Sequence, residues 1–292
     1  MDMGFVITII SAVCYGCNPL FSSVGTNLGF PVLLQVAIRF LGTAAFLLCV
    51  VVVRKKTLAV RRKTLSEILA MGALTFGLTS VLLYESYRFA PSGMDTSIHF
   101  LYPVFVMLLS WLSGQEKLCR KLLWAILLAV SSLFCIIQPW TVGGAKREGV
   151  LLALASSVTF SLYVVFLGRK EIREVDNTVL VFLLSLSAGV VLFVLCGILG
   201  QIHPDTLTGT FRSRLLYIIF QPLVTSVTAS TFFALGARMI GGTRASIVSM
   251  FEPATAVIIG FLFLGERLNI LFFVGFGLLL CAVYLTVSAK RS

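Results

Sequence analysis

The chain has 292 residues, of which 58% are hydrophobic and only 12% charged, with a mean hydropathy of +1.02. Soluble domains are usually about a quarter charged, so this composition excludes an ordinary soluble enzyme or binding module and describes a polytopic membrane protein. The net charge of +11 does not make a nucleic-acid binder, because the lysines and arginines flank apolar runs, where they set topology.

A membrane-crossing helix takes about 20 apolar residues. Runs of that kind, punctuated by Gly, Pro and charged clusters, predict ten spans: 3–24, 31–53, 66–88, 93–113, 120–138, 148–168, 177–200, 213–237, 244–265 and 269–288. The first starts almost at Met1 and lacks a basic leader and a small-residue cleavage site, so it reads as a retained helix. Its Cys14 and Cys17 form a C-x-x-C that reads as packing, not as a redox or metal pair. The polar break from Thr141 to Lys146 divides the chain into two five-span halves, 1–140 and 147–292.

Helical spacing gathers polar side chains onto faces. Span one carries Ser11, Tyr15, Asn18 and Ser22; span three carries Ser80, Tyr84 and Tyr87, with Glu85 and Arg88 near its end. Span four carries Asp95, His99 and Tyr102, and span six Ser156, Thr159 and Tyr163. Span eight carries Gln221, Thr225, Thr228 and Phe232, and span nine Ser249, Glu252 and Thr255. Hydroxyls alone are weak signals, since they often bond back to their own helix. Spans five and ten have almost nothing polar at depth, which leaves them to lipid or to a second copy in a homodimer.

Glu252 lies about eight residues, or roughly 12 Å, into span nine and is followed at once by Pro253. A charge at that depth costs roughly 2.5–3.5 kcal/mol on insertion scales. It therefore reads as a partner for a cationic group or a proton carrier, or else as a brace for the proline break. His99 shares its face with Asp95 and Tyr102, and its ordinary pKa near 6.5 suits proton coupling. Glu85 and Arg88, three residues apart, can pair with each other. Arg39, mid-span, reads as a structural pairing ahead of an anion site, and Asp95 as a cap on span four. Tyr15, Tyr84, Tyr87, Tyr102, Tyr163, Phe232 and Phe251 offer a stacking or cation–π box. The candidate substrate contacts are Asn18, Tyr84, Glu85, His99, Tyr102, Tyr163, Gln221, Thr228, Ser249 and Glu252. Arg39, Arg88, Asp95, Pro103 and Pro253 are the structural or gating candidates.

The halves carry one pattern twice. Twelve residues separate Pro103 from Glu116-Lys117-Leu118, and twelve separate Pro253 from Glu266-Arg267-Leu268. The offset is 150 residues, which also sets Arg88 opposite Arg238 and Gly93 opposite Thr243. With the N-terminus inside, sixteen of the 23 basic residues fall in inside loops and six outside, Arg39 being within a span. That bias favours both termini inside. Five spans per half then make an inverted-topology repeat, which places a site near the midplane.

FEPATAVIIGFLFLGERL (251–268), with its weaker echo YPVFVMLLSWLSGQEKL (102–118), resembles the paired signature of the EamA-type branch of the drug/metabolite transporter superfamily. PVLLQVAIRF (31–40) and YGCNP (15–19) resemble that family's second and first helices, and the likeness covers nearly the whole chain. It implies ten helices, a central cavity lined by the six polar-faced ones, and a Glu before the ninth-helix proline. It also implies an exporter of small polar or amphipathic metabolites, such as amino acids or related amines, working by alternating access without a cofactor. The expected location is a bacterial cytoplasmic (inner) membrane. No G-x-x-x-x-G-K-[ST] motif occurs, which leaves a proton gradient, exchange or the substrate's own gradient as the drive. The competing classes are an integral-membrane enzyme and a non-transporting scaffold or receptor. The first fits poorly, with only His99 and His203 and no H-E-x-x-H.

Overall fold

In a bilayer, backbone N–H and C=O groups find no water, so a chain this apolar closes them within helices. The computed structural model describes residues 2–86, 89, 98–117, 119–137, 146–201, 207–263 and 270–289, without the side chains of Pro19 and Tyr84. These residues form helices and short connections, with no strand among them.

The helices of the first half are α1 (Met3–Gly16), α2 (Asn18–Asn27), α3 (Val32–Val53), α4 (Arg62–Met71), α5 (Leu78–Ser86), α6 (Tyr102–Leu112) and α7 (Arg120–Ile137). Those of the second are α8 (Arg147–Leu167), the short α9 (Lys170–Arg173), α10 (Asn177–Ile198), α11 (Phe211–Pro222), α12 (Ala229–Ile240), α13 (Gly242–Val248), α14 (Phe251–Phe263) and α15 (Ile270–Ser288). Among the described residues, eight helical stretches are long and apolar enough to cross a membrane: Met3–Asn27, Val32–Val53, Arg62–Leu83, Arg147–Leu167, Asn177–Ile198, Phe211–Ile240, Gly242–Phe263 and Ile270–Ser288. The other two expected spans correspond to α6, of 11 residues, and α7, of 18.

Several spans are discontinuous, for local reasons. Span one breaks at Cys17, where Pro19 occupies the first turn of α2, a place where a missing N–H costs nothing. Span eight runs from Phe211 to Ile240, and directly after Pro222 its ladder widens into a π turn, Leu223–Thr228. Proline removes one ladder bond, and a π turn is one way a helix absorbs that loss. A second π turn, Gly72–Gly77, joins α4 to α5 about 150 residues earlier. A Cβ on Gly72 would lie 2.6 Å from the Leu184 carbonyl oxygen, so glycine is what lets this turn close on α10.

The packing is paired in the same register. α3 lies along α10, and α7 along α15; α1 packs on α12 and α14, while α8 packs on α5 and α6. Moved by about 150 residues, the α1 contacts become the α8 contacts, and the other two pairs map onto themselves.

Asp176 starts α10. Its carboxylate accepts from the amides of Thr178 (2.8 Å) and Val179 (3.3 Å) and pairs with Lys56 Nζ at 2.7 Å. Partial burial pushes its pKa up, but the Lys56 ammonium and the two amides outweigh this and leave it below the ordinary carboxylate value. A depressed carboxylate stabilises the fold above its unfolded pKa, near ~4, and loses that effect as pH falls through its folded value. Asp176→Ala is expected to cost about 1 kcal/mol at neutral pH, seen as a lower melting temperature. The gap from wild type should close below pH ~4; a gap independent of pH would refute the assignment.

Candidate functional site

Three chain interruptions meet at one place. α1 yields to α2 at Cys17, α14 starts at Phe251 after the turn at Ser249 and Met250, and α6 starts at Tyr102. Around them lies a cavity of about 200 Å³. At ~30 Å³ per water it has room for roughly seven waters, which suits a small metabolite. Its wall is formed by Tyr15, Gly16 and Asn18, by Arg39 and Phe40 of α3, and by Phe76, Thr79, Ser80 and Leu83. His99, Phe100, Tyr102 and Phe160 continue it, and Glu252, Pro253 and Ala256 of α14 complete it.

Arg39 is only 9% exposed. Its Nη1 donates to Asn18 Oδ1 at 3.3 Å and its Nη2 to Ser80 Oγ at 3.4 Å, while Nε has no partner among the described residues. The guanidinium carbon stands 4.8 Å from the centre of the Phe40 ring, a cation–π distance. The Cys17 break brings Asn18 to this arginine.

Glu252 sits in the first turn of α14, half-buried, with its amide bonded to the Ser249 carbonyl at 2.9 Å. Pro253 follows within that turn, and Pro103 stands likewise in the first turn of α6. The first four amides of a helix have no intrahelical acceptor, so both prolines mark restarts at no hydrogen-bond cost. No ion pair within 4.0 Å joins Glu252 to Arg39; the two charges share the cavity without touching.

His99 Nδ1 is 2.9 Å from Ser156 Oγ, and its ring packs 5.7 Å from those of Tyr102 and Phe160. From here an aromatic layer runs inward. Tyr102 meets Phe160 edge-on at 4.7 Å, and Tyr163, 1% exposed, lies between Phe76 (4.9 Å), Phe160 (5.6 Å) and Phe233 (6.2 Å). Tyr163 is therefore one layer behind the cavity wall. The aromatic contact on α12 comes from Phe233, not Phe232, and Phe251 packs edge-on against Phe276 at 6.1 Å.

The structure thus gathers Asn18, His99, Tyr102 and Glu252 with Arg39 and Pro253 on one cavity. Gln221 is buried on α11, away from the wall, and its Oε1 has no partner among the described residues. Ser249 and Thr228 donate to Ala245 O (2.7 Å) and Leu223 O (3.2 Å) of their own helices. Glu85 is half-buried near the end of α5 and not on the wall. The Tyr84 side chain, Arg88 and Asp95 lie outside the described residues, and with them the Glu85–Arg88 pairing. Thr79, which meets Thr159 Oγ1 at 2.8 Å, was not among the candidates, nor were the four wall phenylalanines. With 24 phenylalanines in the chain, no sequence signal singles those four out.

At the other end of α6, polar contacts tie the helices together around a second cavity of about 270 Å³. Gln115 Nε2 donates to the Val165 carbonyl at 3.2 Å, and Glu116 Oε1 accepts from the Thr243 amide at 3.3 Å. Arg173 and Arg238 each donate to the other's carbonyl, and Arg238 also donates to Val175 O at 2.8 Å. Gly241 enters this contact with φ +92°, and a Cβ there would stand 2.5 Å from Glu116 Oε1. Gly241→Ala should therefore destabilise the protein by about 1–3 kcal/mol, from backbone strain alone. Thermal denaturation of the purified variant tests it; an unchanged melting temperature would count against this tight junction.

The described helices, eight stretches of which are long and apolar enough to cross a membrane, are those of a multi-pass membrane protein. The chain belongs to the EamA-like transporter family, whose model matches it twice, over residues 2–138 and 147–288. It is 30% identical over 221 residues to the uncharacterized transporter sll1319 of Synechocystis sp., a match covering 72% of this chain and 63% of that protein. It is 22% identical over 280 residues to the uncharacterized transporter YcbK of Bacillus subtilis, covering 94% and 89%. A solved crystal structure aligns with TM-score 0.81 at 16% identity, over 97% of this chain and 96% of that one, and at that identity shows the fold alone.

Proposed function

We propose that this protein is a secondary transporter that exports small polar or amphipathic amines and amino-acid-like metabolites by alternating access. The observation that carries this reading is one small cavity that holds Glu252 and is walled by aromatics. A substrate ammonium would pair with the Glu252 carboxylate, and the phenylalanine wall would take its apolar part. In this reading the chain has ten spans in two inverted five-span repeats, residues 1–140 and 147–292. The exchange of the α1 contacts for the α8 contacts supports it. Rocking one half on the other would then open the two ends in turn.

Two measurements test this. Glu252→Gln keeps the shape but removes the charge, leaving a desolvated substrate cation unpaired at a cost of roughly 2–5 kcal/mol. The variant is expected to insert and purify like wild type yet lose most initial flux of cationic or zwitterionic substrates in proteoliposomes. Near-normal flux would take Glu252 out of the site. For topology, a cysteine at Gly143 should label from the cell exterior, since the basic-residue bias favours both termini inside. Labelling only after permeabilisation would sink the inverted arrangement.

A further inference from the structure

Arg39 remains a charge without a counter-charge in contact. It is buried, it lines the cavity, and among the described residues no carboxylate lies within 4.0 Å of it. A guanidinium has five N–H donors in a planar fork. Here two are used, in long bonds to the neutral oxygens of Asn18 and Ser80, and the Nε donor has no partner. A structural arginine would be expected to sit on a carboxylate or on several carbonyls, because an unpaired buried cation is costly. Nε is enclosed, but each Nη keeps one unused N–H beside the cavity, in the planar fork that grips a carboxylate in two parallel bonds.

We infer that Arg39 is the anion-binding pole of the cavity, and that the transported molecule must carry an anionic and a cationic group at once. This rests on the proposed role of Glu252 as the cationic pole. The two side chains share one cavity without an ion pair between them, so a zwitterion of matching length can bridge the gap and satisfy both. A singly charged molecule would satisfy one pole and leave the other buried and unpaired. Lysine could not replace the arginine fully, since an ammonium lacks the planar fork. The phenylalanines at 40, 76, 100 and 160 give the remainder of the molecule an apolar bed.

The test uses three matched sets of probes on the purified full-length protein: alanine, leucine and phenylalanine; ethylamine, isoamylamine and phenethylamine; propionate, 4-methylpentanoate and 3-phenylpropionate. Affinity is read from ligand-dependent melting temperature, and flux from proteoliposomes. At least one zwitterion should bind wild type tenfold or more tightly than both of its matched amine and acid. Arg39→Gln should erase the preference for the zwitterion over the amine while the amine still binds, and Arg39→Lys should restore part of it. An amine that binds wild type as well as its zwitterion, or a ratio unchanged in Arg39→Gln, would show that Arg39 only ties its three helices together; the Glu252 reading would survive. Binding by none of the nine probes would overturn both readings. Should Arg39→Gln fail to fold, the wild-type ratios decide alone.

Discussion

A guanidinium inside an apolar bundle is the constraint on which the centre of this structure depends. A guanidinium among apolar side chains needs polar partners, so the bundle must supply them to Arg39. It does so from two directions: Asn18 from the break between α1 and α2, and Ser80 from just beyond the Gly72–Gly77 π turn. Both are places where a regular helix is interrupted. The cavity follows from this, because a polar cluster among interrupted helices leaves space that apolar side chains do not fill. Glu252 enters the same space from a third interruption, so opposite charges face one volume without collapsing onto each other.

The interruptions are tolerable only because they are buried in protein. Irregular backbone is expensive against lipid and acceptable where it lines a cavity or packs on a neighbour. The Gly72–Gly77 turn is closed over by α10, and the Leu223–Thr228 turn is packed against α3 and α1. Hydroxyls help within each turn or beside it: Thr75 donates to Met71 O at 2.5 Å and Thr228 to Leu223 O at 3.2 Å. Of the two, only Thr228 is read as a substrate contact from helical spacing. Their hydrogen bonds go to the widened backbone instead.

What was legible in the sequence were the residues that violate an apolar background. Glu252, Pro253, Arg39 and His99 stand out for that reason, and the structure assembles them on one cavity. The bundle was legible too, since a 20-residue apolar run has few alternatives to a helix. Helix breaks were readable where a proline caused them, at Pro103 and Pro253. The π turns were not, because Gly72 and Pro222 announce a weak point without saying how the chain will bridge it. The aromatic wall was invisible for the opposite reason: phenylalanine is too common here to carry information by itself. Tyr163 and Gln221 lie off the cavity wall, because helical periodicity gives the angle around a helix but not the layer behind which a side chain ends.

The 150-residue register pairs Tyr102 with Glu252, Pro103 with Pro253 and His99 with Ser249. The backbone event is the same on both sides, a helix restarting just before a proline, and both Tyr102 and Glu252 reach the one cavity. The chemistry is not the same. Two carboxylates at these positions would repel each other across a small desolvated space, and one would have to take a proton to relieve it. A tyrosine on one side removes that conflict and gives the cavity a direction, with a single carboxylate on α14. The two sides of the cavity are therefore chemically distinct. The duplicated backbone provides the discontinuous helices around the cavity, and the side chains carried on those helices differ between the two halves.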